Sequence, residues 1–99
     1  MNKIISYIGF AQKSNCLIAG QTPLKRTKSK LNLILVCLTG SENLVNLAKN
    51  LAVKHSCEYI VTKVELEKLS NIKDIKIIGI TDENLSKAII QNKEIINIG

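Results

Sequence analysis

The residues best placed to do chemistry are four cations within six positions, Lys25, Arg26, Lys28 and Lys30, with no acid near them. They follow Gly20-Gln21-Thr22-Pro23. The glycine ends one segment, and the next residues read as the start of a short helix. Thr22 is its expected N-cap, and Pro23 falls in the first turn, where a missing N–H costs nothing. Free N–H groups at a helix N-terminus, followed by unpaired cations, form an anion site, and phosphates are the commonest anions of that kind. Such contacts fix position on a phosphate backbone without reading sequence. Gln21 and Thr22 are the only neighbouring side chains able to reach base edges. The competing reading of the four cations is a solvated helix face. The lack of any offsetting acid favours the anion site.

The remaining reactive residues form no catalytic set. His55, the only histidine, is expected at a helix C-terminus, where a cation is favoured, and no acid–base partners accompany it. Asp82 and Glu83 open a helix, so its dipole explains both carboxylates. Gly40-Ser41 follows a strand but lacks the lysine and spacing of a phosphate loop. There is no GxGxxG, GxSxG or HExxH. Cys16, Cys37 and Cys57 are odd in number and form no CxxC pair, which suits reduced thiols in a cytoplasmic protein better than a metal site. The expectation is a non-enzymatic protein with no cofactor and no metal.

Charge placement points to the partner. The net charge is +6, from 14 Lys+Arg and 8 Asp+Glu. Lys3, Lys13 and the four cations above all precede the first acid, Glu42, and from there onward eight cations balance eight acids. The whole excess therefore belongs to the first 41 residues, which suggests a polyanion, nucleic acid first. No apolar run is long enough to span a membrane, and the N-terminus lacks a signal-peptide core with a cleavage site. The protein is expected to be cytoplasmic, away from membranes, and monomeric.

These residues must be held by one small domain spanning 1–99. Hydrophobic residues are 45% of the chain and aromatics only 3%, so Ile, Leu and Val pack the core, as in α/β domains with buried parallel strands. Ile4, Ile5, Ile8 and Ala11 predict a first helix over about 2–13; Phe10 is read as core. Cys16 to Ala19 is a brief strand, and the basic helix from Pro23 follows. Leu31 to Leu38 is nearly all apolar and reads as a central strand. Ser41 caps a helix ending near His55, and 57–61 is a strand. Thr62-Lys63-Val64-Glu65 reads as a capping box that starts a short helix closed by Ser70-Asn71. Residues 75–80 are a strand, and Thr81-Asp82-Glu83 opens a last helix with Leu85, Ala88 and Ile89 inward. A tail from Lys93 carries Ile95, Ile96 and Ile98 and is expected to dock. The alternation predicts an α/β fold, a three-layer α/β/α sandwich on a mostly parallel four-stranded sheet.

Five phrases in order resemble a known family: Ile8-Gly9-Phe10-Ala11-Gln12-Lys13, Leu17-Ile18-Ala19-Gly20, Ser29-Lys30-Leu31-Asn32-Leu33-Ile34-Leu35, Thr39-Gly40-Ser41-Glu42-Asn43, and Ile80 to Ile89. Together they span almost the whole chain. The chain resembles the ribosomal protein L-seven-Ae / L-thirty-e family, especially its small bacterial members of the YlxQ type. The resemblance implies an α/β/α sandwich and binding of kink-turn or similarly bent RNA, in the ribosome or another ribonucleoprotein, with no DNA specificity. The family's motif is Gly-x-Asn-Glu-x-x-Lys. Its glycine matches Gly20, its Asn position falls on Thr22, its Glu position on Pro23, and its Lys position on Arg26, which keeps the charge. The loop that supplies a second contact in the family falls near Asn71-Ile72-Lys73-Asp74.

The RNA-binding residues so proposed are Gly20, Gln21, Thr22, Lys25, Arg26, Lys28 and Lys30, with Lys13 and Lys73 in support. Tyr7, Phe10 and Tyr59 are the only rings, so shape and phosphate recognition is favoured over base stacking. The alternative is a protein-interaction module of the same fold, with only weak, non-specific RNA binding.

Overall fold

The computed structural model describes residues 3–92. Its elements run α1 (Lys3–Lys13), β1 (Leu17–Ala19), α2 (Gln21–Arg26), β2 (Leu33–Cys37), α3 (Glu42–His55), β3 (Glu58–Thr62), α4 (Leu66–Ser70), β4 (Ile77–Ile80) and α5 (Glu83–Gln91). The expected tail docking of Ile95, Ile96 and Ile98 lies outside the described residues.

The sheet is built around β2, every residue of which is buried. Strand side chains alternate between faces, so Leu33, Leu35 and Cys37 join a core with Ile4, Ile8, Leu66, Leu69 and Ile89 from α1, α4 and α5. Ile34 and Val36 join a second core with Leu24 of α2 and Ala48, Leu51 and Ala52 of α3. The result is the expected three-layer α/β/α sandwich.

Strand direction departs from expectation. The order is β1-β4-β2-β3. β2–β3 is parallel, whereas β1–β4 and β2–β4 are antiparallel. β1, β2 and β3 share one direction, and β4 is inserted against them, so the sheet is mixed and not mostly parallel. Alternating helices and strands give parallel pairing only where each connection returns the chain to the same end of the sheet; after the five-residue α4 the chain instead enters between β1 and β2 from the far end.

Two local expectations are also corrected. The Thr62 capping box does not form. Thr62 ends β3, fully buried, and its hydroxyl donates to the carbonyl oxygens of Val64 at 2.8 Å and Val36 at 3.4 Å. α4 instead starts after Glu65, which makes no side-chain cap. Phe10 is not core but 66% exposed. The inner face of α1 is set by Ile4, Ile8 and Ala11, and Phe10 lies about 200° around the helix from Ile8. Ser41 and Asp82 do cap α3 and α5, accepting from Leu44 N–H at 3.2 Å and Leu85 N–H at 2.9 Å.

Gly79 of β4 fixes how closely α2 approaches the sheet. A Cβ there would lie 2.6 Å from Cδ2 of Leu24 and 2.9 Å from Cδ2 of Leu31. Both leucines are buried to within 1%, so the missing side chain is the seat of the helix.

Candidate functional site

The site starts where β1 gives way to α2. Gly20 takes φ +94°, a region that favours glycine. Its N–H donates to the Ile77 carbonyl at 3.0 Å, and its own carbonyl accepts from Leu24 N–H at 3.2 Å. Gly20, and not Thr22, is therefore the N-cap. The chain turns two residues earlier than Thr22 would require, because the glycine reaches that φ at low cost. Pro23 becomes the third helical residue, still among the positions with no intrahelical N–H partner. Gln21 and Thr22 stand exposed in the first turn.

α2 is only six residues long, about 9 Å. Lys25 and Arg26 occupy its last turn, where the helix dipole favours cations. The cations thus do not surround the helix N-terminus. Lys28 and Lys30 lie beyond α2, in the link to β2. All four are exposed, and the one ion pair among the described residues, Lys87–Glu83, is elsewhere.

The two ends of β4 separate the outer candidates. Gly20 is bonded to Ile77 at its start. At its finish, Asn32 N–H donates to Ile80 at 2.8 Å and Thr81 N–H donates to Cys16 at 2.8 Å. Lys30 precedes Asn32, and Lys13 ends the helix whose Ala11 carbonyl accepts from Cys16 N–H at 2.8 Å. Lys13 and Lys30 consequently lie at the end of the sheet opposite Gly20, with Lys25, Arg26 and Lys28 along the chain between.

The loop of Lys73, by contrast, does come to the Gly20 end. Gly20, Gln21, Asp74, Lys76 and Ile77 are among the residues lining a shallow cleft of about 210 Å³. Lys73 is exposed in that loop, but Asp74 and Lys76 are the side chains at the cleft. Sequence reasoning passed over Lys76, whose Nζ lies 3.0 Å from Thr39 Oγ1. Its signal was a lysine between Ile75 and Ile77 at the entry to a strand. Asp74, held at φ 59° with its N–H donating to Glu67 at 3.2 Å, places a negative charge beside the predicted anion site.

At the other end, His55 Nδ1 accepts from Leu31 N–H at 3.1 Å, tying the end of α3 to the residue after Lys30. Burial lowers the His55 pKa below its ordinary value, and the charges of Lys54 and Lys30 lower it further. The imidazole is a neutral acceptor that steadies the basic link, and not the cation that its helix-end position favours. Among the described residues, no group of three or more His, Cys, Asp or Glu is placed to hold a metal, and no helix is long and apolar enough to cross a membrane.

No family model matches the chain, and no curated protein sequence does. Among solved structures, it is similar to a protein of unknown function from Bacillus halodurans, with a TM-score of 0.76 over 92% of this chain and 96% of that one. Their sequence identity is 13%, so the likeness carries the arrangement of the sandwich and leaves function to the site itself.

Proposed function

We propose that the protein is a small, non-enzymatic, cytoplasmic RNA-binding protein of the L-seven-Ae / L-thirty-e kind, which grips the phosphates of a bent, structured RNA. The observation that carries this reading is the exposed strip Lys25, Arg26, Lys28 and Lys30, to which no ion pair is made among the described residues. Beside its start, the exposed Gln21 shares a cleft with Lys76, so a polar side chain and a cation from another loop would supply a second line of phosphate contact. With Thr22 and Pro23 at the two reading positions, grip comes mainly from charge and shape. Reversing Lys25, Arg26 and Lys28 to glutamate tests it. A large loss of affinity for structured RNA is expected, and unchanged affinity sinks the reading.

Asp74 favours a second reading, the protein-interaction module. A carboxylate at the cleft opposes a polyanion there and suits a partner carrying a cation. In that case RNA binding is weak and indifferent to bending, and Asp74→Asn strengthens it without creating preference for bent RNA.

A further inference from the structure

α1 carries a stripe that neither core uses. Its buried positions are Ile4, Ile8 and Ala11. On another face, Ser6, Gly9, Phe10 and Lys13, spaced three or four apart along one side, line a shallow groove of about 340 Å³. Phe10 is 66% exposed there, although it is the chain's only phenylalanine.

Gly9 adds an independent observation. It lies inside the helix, its φ is not positive, and a Cβ at that position would meet nothing within 4 Å among the described residues. Neither backbone nor packing calls for a glycine, which weakens a helix interior relative to alanine. What it does supply is bare backbone beside the phenyl ring, a floor on which a flat group can lie. Lys13 stands one turn further on. α1 contains two lysines and no acid, so the stripe complements an anion. An exposed ring, an open floor and a cation with no ion pair among the described residues together fit a nucleobase with its phosphate. Bases of any identity stack on aromatic faces, while an apolar peptide would leave the charge unused.

We infer that this stripe stacks one unpaired base of the bound RNA on Phe10, with Gly9 leaving room for it and Lys13 holding the adjacent phosphate. The inference rests on the RNA-binding reading above and gives that reading the base contact that the α2 strip lacks.

The chain contains no tryptophan, so a Phe10→Trp variant reports from this groove alone. Two RNAs of equal length serve as probes, one a continuous duplex and one with a bulge of unpaired bases. The bulged RNA quenches the indole and the duplex does not. Phe10→Ala weakens binding of the bulged RNA by about 5- to 100-fold and leaves duplex binding as it was. Gly9→Ala raises the melting temperature yet weakens the bulged RNA several-fold, a split that a purely structural glycine does not produce. The inference is overturned if the bulged RNA binds at wild-type strength while the indole stays unchanged. Emission already blue-shifted without RNA overturns it as well, since another part of the chain or a second copy then covers the ring. If the unmodified protein binds neither RNA, or binds both regardless of Lys25, Arg26 and Lys28, the RNA reading itself has failed and takes the Phe10 contact with it.

Discussion

α2 and α3 pack on the same face of the sheet, yet they are built by opposite means. α3 has 14 residues, a serine cap at its start and a left-handed Ser56 at its end, and it buries Ala48, Leu51 and Ala52. α2 has six residues, a glycine for an N-cap with no side-chain bond, and one buried residue, Leu24. Isolated helices of that length do not form in water. α3 brings caps at both ends and three buried residues to its order, whereas α2 is ordered by the sheet beneath it, through Leu24 over Gly79. The strip of cations therefore depends on a contact made by neither Lys nor Arg.

Perturbing that dependence gives the largest effects. Leu24→Ala removes the one buried side chain of α2 and should cost about 2–5 kcal/mol in denaturant unfolding. Gly79→Val pushes a side chain into the seat of Leu24 and Leu31 and should cost about 1–3 kcal/mol or more. Hydrogen exchange should show α2 opening before α3 in that variant; equal opening of the two helices would mean that α2 does not rely on this contact. In α3, Ser41→Ala removes one cap and should cost about 1 kcal/mol.

His55 links the two regions, since it ends α3 and accepts from the N–H of Leu31. Its pKa is lowered in the folded protein, first by burial and then by Lys54 and Lys30. The folded state thus favours the neutral ring. Its contribution is fully present above the unfolded value of about 6.5 and is lost as pH falls from there toward the lowered folded value. Melting temperature should drop across that window in the unmodified protein and change less in His55→Gln. The smallest effect on stability belongs to the cations themselves. Reversing exposed Lys28, which lies beyond α2, should shift unfolding by no more than about 0.5 kcal/mol, so any loss of binding in that variant reports contact and not unfolding.

Much of this was legible in the sequence. The unbroken apolar run of β2 announces a strand buried on both faces, Ser41 announces its cap by type and place, and Asp82 marks the start of α5, though its cap bond to Leu85 was not foreseen. Strand direction was not legible, because alternating helices and strands look the same whether the crossover returns or not. Phe10 was misplaced by residue type, although the phase set by Ile4, Ile8 and Ala11 turns it outward. Gly79 left no trace, since a missing side chain adds nothing to a hydrophobic pattern. The Gly20 to Lys30 run was visible as a run. Its division between the two ends of β4 was not, because that follows from which strand ends Gly20 and Asn32 bond.

The most direct test of the central claim is binding to a kink-turn RNA and to a straight duplex of equal length, each titrated across salt, with the Lys25, Arg26 and Lys28 reversals beside the unmodified protein. The account predicts preference for the kinked RNA at physiological salt. It also predicts a steep salt dependence that flattens by about one counterion per cation reversed. Equal, weak affinities for both RNAs, with a salt slope that the reversals leave alone, would contradict it.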